Sequence, residues 1–244
     1  MIKQLIKTLS LPKNEILYLH VQLKGLSSKL SYSELTKRMI YFLEEFYCPK
    51  TILVPTFTYS FTKTGIYDLK NTPSEVGRFS EEVRKLYDYE NRSLNPVFSV
   101  IDTNMYMKKY LINENTAFGK NSLFDLLYKE KHVIVNINLN EIILAFLHYI
   151  EEFKKVDYRF NKKFSGRILC QNDKELKVEY NYYVRNYDMD TRWRRSKVES
   201  FLISTGSLFF KEFNNVKLRW MYSDNLFQDI EKKLEENQRY LIID

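Results

Sequence analysis

His148 and Glu151 stand three residues apart in Phe146-Leu147-His148-Tyr149-Ile150-Glu151-Glu152. On a helix this spacing brings an imidazole and a carboxylate onto one side of the same turn. Ile142, Phe146, Tyr149, Ile150 and Phe153 recur at helical period, and Ile143, Leu144 and Leu147 fill the flank that the pair shares, so no solvated face is left. Shielded from water, a carboxylate fixes the imidazole tautomer and raises its basicity, which is the chemistry of a general base and its orienter. A core histidine satisfied by a neighbouring acid has the same spacing. Residue types alone leave both readings open.

The elements around the pair alternate. Helical and strand patterns succeed one another over residues 2–9, 15–21, 32–46 and 51–57, which argues for parallel β/α construction. Ligands gather at the carboxyl ends of such strands, so His20, Gln22, Thr56 and Thr58 are expected near any site, although His20 reads equally as a strand-end hydrogen bonder. An irregular stretch covers residues 60–96. Residues 131–138 then read as a strand, with Asn138 or Asn140 as the expected cap of the helix that carries His148. Strict alternation over residues 176–182 marks an antiparallel appendage. Helical signals return at 197–204 and 224–236, the latter with Leu226, Phe227, Ile230 and Leu234 on one face. The expected fold is α/β: a central mixed, largely parallel sheet flanked by helices, with a small antiparallel β appendage in the C-terminal third. No Gly/Pro/Ser-rich linker divides the chain, so residues 1–244 read as one domain, with a β-rich subdomain at 156–223.

No apolar run approaches the roughly 18–20 residues of a membrane span, and the first seven residues have neither a long apolar region nor a small-residue cleavage site. The expected location is the cytoplasm. A net charge of +7 suits an anionic partner, either nucleic acid or a small molecule bearing phosphates. Aromatic residues are spread along the whole chain and do not gather on one element, which speaks against a stacking surface for bases. The densest basic run, Arg192-Trp193-Arg194-Arg195 with Lys197, sits near a helix start and reads as a solvated face. Cys48 and Cys170 lack CxxC or metal-ligand spacing and read as packing residues, so neither a disulfide nor a metal site is expected.

Six segments, in order, resemble the aminoglycoside 3-N-acetyltransferase family. Leu19-His20-Val21-Gln22-Leu23 is similar to its Val-His-Ser-Ser-Leu, and Val54-Pro55-Thr56-Phe57-Thr58 to its Met-Pro-Thr-Phe-Thr. Thr72-Pro73-Ser74-Glu75-Val76-Gly77 matches Thr-Pro-Ser-x-x-Gly, and Arg92-Ser93-Leu94-Asn95-Pro96-Val97-Phe98-Ser99 resembles Arg-Ser-x-His-Pro-x-x-Ser. Phe118-Gly119-Lys120-Asn121-Ser122 corresponds to Phe-Gly-x-x-Ser, and His148-x-x-Glu151 to the catalytic His-x-x-Glu. Val21 and Gln22 replace the paired serines, and Asn95 stands where the family has histidine.

The resemblance implies an enzyme that acylates a primary amine from acetyl-CoA or another short acyl-CoA, without a metal. His148 would be the general base and Glu151 its orienter. Thr72, Ser74, Arg92 and Ser93 would hold phosphate or pantetheine groups, with Asn95, Pro96 and Phe98 lining the cofactor pocket; Thr56, Thr58 and Tyr67 would lie on the acceptor side. Thr72-Pro73-Ser74 reads equally as a helix start with Ser74 as cap. Tyr158-Arg159-Phe160 and Lys163-Phe164-Ser165-Gly166 look more like relatives from surface-sugar biosynthesis. That likeness implies an amino-sugar acceptor, nucleotide-linked and used for surface polysaccharide. The alternatives are an aminoglycoside 3-N-acetyltransferase of the resistance type and a non-catalytic nucleic-acid-binding protein. A homo-oligomer is left open.

With neither cysteine activated, the acyl group is expected to pass directly to the amine in a ternary complex. A folded Cys48→Ser/Cys170→Ser double variant should therefore keep its rate of acyl transfer. A pre-steady-state burst in the parent that vanishes in the variant would identify a cysteine acyl-enzyme instead.

Overall fold

The computed structural model describes residues 1–108, 115–170 and 174–243. Helix α1 (Ile2–Thr8) leads into strand β1 (Ile16–Val21), helix α2 (Tyr32–Tyr47) and strand β2 (Thr51–Pro55). After the short α3 (Phe61–Thr64), β3 (Ile66–Asp68) and α4 (Arg78–Leu86) come β4 (Val100–Asp102), α5 (Leu123–Glu130), β5 (His132–Ile137) and α6 (Leu147–Lys154). A long hairpin of β6 (Arg159–Leu169) and β7 (Glu175–Arg185) follows, then α7 (Arg195–Ser204), β8 (Leu208–Phe213), β9 (Val216–Tyr222) and α8 (Ser223–Glu236).

Six strands form the central mixed sheet in the order β4-β2-β1-β5-β9-β8. Its middle is parallel: Tyr18 of β1 lies opposite Leu53 of β2 and Ile134 of β5. Those strands are apolar on both faces, as parallel strands covered by helices must be, and every residue of β2 and β5 is buried. The outer pairings, β4 on β2, β9 on β5 and β8 on β9, are antiparallel. Strand alternation divides the interior into two cores. Leu17, Leu19, Ile52, Val54, Val133 and Val135 face α1, α2 and α4, whereas Ile16, Tyr18, Leu53 and Ile134 face α5, α6 and α8.

The second sheet has the order β3-β6-β7. Its hairpin strands run antiparallel in unbroken register from Arg159↔Arg185 to Leu169↔Glu175, and the alternation read at 176–182 turns Tyr180 and Tyr182 inward. Gly166 lets β6 pass close to the Gly65 carbonyl and the Phe61 ring, a place where any Cβ would collide with both. The span 156–223 is thus divided between two sheets: β6 and β7 form the appendage, while β8 and β9 extend the central sheet. The reason is the pattern of β9, where Leu218, Arg219, Trp220 and Met221 are buried in succession and the strand pairs with β5. Asn214 and Asn215, both at positive φ, make the tight turn between β8 and β9.

Neither expected asparagine caps α6. The helix begins only at Leu147, behind Phe146, with no side-chain cap. The chain first climbs away from the end of β5, and buried Asn136 holds that climb by accepting from Ile143 N at 2.7 Å and donating to Ile143 O at 3.2 Å. Asn138 instead ties down the loop after β1, donating to Gln22 O at 2.8 Å and Lys24 O at 2.9 Å. The carbonyl of Asn140 accepts from Arg219. No helix among the described residues is long and apolar enough to cross a membrane.

Burial lowers the pKa of each histidine: His20 to about 3, and His132 and His148 to about 4. The unfolded chain takes up these protons near 6.5 while the native state resists them, so stability is full above that pH and is lost as pH falls toward about 4. Urea midpoints measured across this window should fall steadily. A flat midpoint would be incompatible with buried neutral imidazoles.

Candidate active site

The fully buried Glu151 carboxylate gathers the site. Its Oε2 meets His148 Nδ1 at 3.2 Å and Arg159 Nε at 2.7 Å, and its Oε1 accepts from Tyr158 OH at 2.8 Å and Trp193 Nε1 at 2.7 Å. Each donor comes from a different local cause. His148 lies one helical turn before Glu151 on α6. Lys155 ends that helix in a left-handed conformation, which turns the chain back so that Tyr158 and Arg159 enter β6 beneath it. Trp193 arrives from the segment before α7, pinned by the bond from Arg194 N to Leu241 O at 2.8 Å.

Burial opposes charge on Glu151, yet the bond from His148 and the Arg159 guanidinium, helped by Trp193, hold its carboxyl below the ordinary carboxylate value. A charged carboxylate requires Nδ1 of His148 to be the donor. Nε2 then keeps its lone pair, and it makes no hydrogen bond among the described residues. For His148 itself, burial and then the positive charge of Arg159 outweigh the raising effect of Glu151, leaving the pKa at about 4. The carboxylate pushes basicity in the direction expected from sequence, but burial wins. Glu151 therefore sets tautomer and orientation, and the imidazole is neutral at physiological pH.

The imidazole ring packs against Trp193 at 4.5 Å between centroids, Phe118 at 5.1 Å and Phe98 at 5.9 Å. It opens on a cavity of about 790 Å³ whose walls include Phe98, Phe118, Tyr182, Arg159 and Arg185.

The sequence model of the aminoglycoside 3-N-acetyltransferase family matches residues 43–240. This chain belongs to that family. Its members are acyl-CoA-dependent N-acyltransferases. Among solved structures, aminoglycoside acetyltransferase AAC-IIIb in binary complex with coenzyme A has a TM-score of 0.77 at 11% identity, covering 96% of this chain and 95% of that one. AAC-VIa bound to sisomicin has a TM-score of 0.75 at 14% identity, with 96% of each chain covered. The YokD protein from Bacillus subtilis has a TM-score of 0.72 at 16% identity, covering 97% of this chain and 98% of that one. At such identities the likeness is one of fold. No curated protein sequence matches this chain.

The family motifs fall into two groups. His148, Glu151 and Phe98 meet at the cavity. Most of the others build the wall behind it. Arg92, expected to grip phosphate, is buried with its guanidinium donating to Thr72 O at 2.6 Å, Thr56 O at 2.8 Å, Thr58 Oγ1 at 3.1 Å and Leu69 O at 3.3 Å, stacked over the Tyr67 ring. Bound in this way it clamps loops together, and no N–H is directed into the cavity. Thr56 and Thr58 are buried beneath it, and Tyr67 is buried with its hydroxyl donating to Ser93 O. The side chains of Thr72 and Ser93 accept from the backbone N–H groups of Asp68 and Val100. Ser74 donates its N–H to Glu81, and Pro96 O accepts from Thr58 N. Asn95, standing in the place of the family histidine, accepts from Tyr182 OH at 3.0 Å and Phe98 N at 3.3 Å, so it holds the Tyr182 side chain and the Phe98 backbone of the cavity wall from behind. His20 lies beside Tyr18 and lines no part of the cavity.

Sequence reasoning did not assign Tyr158, Arg159 or Trp193 to the site. Trp193 was concealed in a basic run that reads as a solvated face. A tryptophan flanked by arginines was the available signal, since an indole gains nothing from full exposure.

Glu151→Gln should lower kcat/KM and displace the acidic limb of the pH–rate profile downward, because His148 loses the group that raises its pKa. The variant should also unfold more easily by about 3 kcal/mol, since Arg159 keeps a buried charge without its partner. An unmoved acidic limb would make the carboxylate merely structural.

Proposed function

We propose that residues 1–244 act as one acyltransferase domain, moving the acyl group of acetyl-CoA or a similar short acyl-CoA to a primary amine of an amino-sugar acceptor. The observation that carries this reading is a neutral imidazole, held in one tautomer by a buried carboxylate, at the wall of a cavity large enough for two reactants. The family match supports aminoglycoside-type acceptor chemistry, and AAC-VIa, a neighbour in fold, was solved with sisomicin. A role in surface polysaccharide rests on residues 148–166 alone.

The acyl-CoA would supply an activated thioester. Phe98 and Val97 on the cavity wall would take its pantetheine arm, and Ser60 and Lys63 offer polar contacts beside them. An ammonium has no lone pair, so attack on the thioester carbon needs a base. Nε2 of His148 removes the proton directly or through one water, and Glu151 stabilises the resulting imidazolium across Nδ1. As the carbon–sulfur bond breaks, His148 returns that proton to the departing thiolate. The attacking nitrogen sheds its second proton to solvent as the amide forms, so the cycle leaves the protein unchanged, with an amide, a free thiol and one released proton as products.

Removal of the base by His148→Ala should cost about 10²–10⁴ in kcat, with the native circular dichroism spectrum kept. Thiol release from acetyl-CoA in the presence of an aminoglycoside or another amino sugar measures it. Near-parental turnover in the folded variant would overturn the assignment.

A further inference from the structure

Beside the Trp193–His148 stack lies a second recess of about 500 Å³, bounded by Glu141, Arg185, Arg192, Trp193, Arg194 and Arg195. Arg185, at the end of β7, lines this recess and the catalytic cavity alike. Its guanidinium is half-buried, and no ion pair to it occurs among the described residues. Burial and then the nearby Arg159 disfavour its charge, Glu151 favours it more weakly, and its own field reaches His148. Around it stand three more arginines; among the described residues Asp190 pairs with Arg192 at 2.8 Å and Arg194 at 3.8 Å, and Glu141 with Arg195 at 3.3 Å. The catalytic cavity has the same sign. Lys63, Lys162 and Arg159 line it, Arg159 is paired with Glu151, and Glu75 spends its carboxylate on the N–H groups of Tyr59 and Ser60.

Positive charge predominates in this cleft despite Glu75 and Glu141, so a polycationic acceptor would meet net repulsion, whereas a phosphate would supply Arg185 with an ion-pair partner. We infer that Arg185 is the centre of an anion subsite that receives a phosphate-class group of the acceptor, so that the amine presented to His148 belongs to an anionic molecule. This deepens the proposed function and rests on its use of His148 as base. The donor wall proposed above, Phe98 and Val97, takes no part in the recess, which leaves the recess to the acceptor.

An amino sugar phosphate and the same amino sugar without phosphate form the test pair, each assayed with acetyl-CoA and with the acetyl thioester of N-acetylcysteamine, which has no phosphate. The parent enzyme should prefer the phosphorylated acceptor, and the preference should weaken with salt. Arg185→Gln should raise KM for the phosphorylated acceptor about tenfold, and raise it much less for the same amino sugar without phosphate. Arg185→Lys should recover part of the loss. A rise in KM for acetyl-CoA that is absent with the truncated thioester would assign the anion to the donor and overturn the proposal. Equal use of both acceptors by the parent would overturn it as well. Quenching of tryptophan fluorescence by the amino sugar phosphate separates this subsite from the catalytic reading: binding should persist in His148→Ala and weaken about tenfold in Arg185→Gln. If Arg185→Gln does not fold, the same titration on Arg194→Gln/Arg195→Gln should show weakened binding, and unchanged binding there would count against the subsite.

Discussion

A carboxylate removed from water stays charged only if the protein replaces its hydration shell, and Glu151 is the place where this chain does so. Three hydrogen-bond donors and one ion-paired guanidinium, from three segments, converge on two oxygens: His148 from the same helix, Tyr158 and the Arg159 guanidinium from the start of the hairpin, and Trp193 from the approach to α7. Desolvating an isolated carboxylate costs several kcal/mol, so the position of each donor is tied to that of the others. The carboxylate links the end of α6, the appendage and the C-terminal helices through one point. It also decides which nitrogen of His148 holds a proton, and so connects folding to chemistry.

The second sheet is more than an attachment to the first. Its strand β6 delivers Arg159 to the carboxylate, and β7 delivers Tyr182 and Arg185 to the cavity wall. Tyr182 is fixed in turn by Asn95, whose amide also holds Phe98 N and donates to Thr116 O. A short polar residue in place of the family histidine is thereby used as a bracket between the central sheet's loops and the hairpin. The clamp made by Arg92 does similar work one layer deeper. Its guanidinium satisfies the carbonyls of Leu69 and Thr72 and shares that of Thr56 with the Ser99 hydroxyl.

The sign of the charge around His148 follows from this construction. Arg159 is ion-paired with Glu151, but Arg185, opposite it at the same end of the hairpin, has no ion pair among the described residues, and the recess beyond it is bounded mainly by guanidinium groups. Burial then acts on the whole group together: it keeps His148 neutral and Glu151 dependent on its donors, and it disfavours the charge of Arg185.

Much of the architecture was legible in the residues themselves. Continuous apolar runs at 16–19, 52–54 and 133–135 specify buried parallel strands, and strict alternation at 176–182 specifies a half-buried antiparallel one, because the side-chain period of a strand is two whatever surrounds it. The i, i+3 relation of His148 to Glu151 is likewise a local property of helical geometry. Which sheet β9 would join was not local, since its pairing with β5 depends on a free edge that only the assembled sheet offers. Nor could residue types show that Arg92 would be consumed by carbonyls while Arg159 and Arg185 reached the cavity. An arginine clamps a loop or faces a ligand according to which unpaired acceptors lie within reach, and those acceptors are brought together by segments far apart in sequence. The chain alone determined the helical and strand periods and the one-turn spacing of His148 and Glu151; tertiary packing decided the partners of the carboxylate, the protonation of the histidine and the charge of the cleft, because burial and long-range pairing set all three.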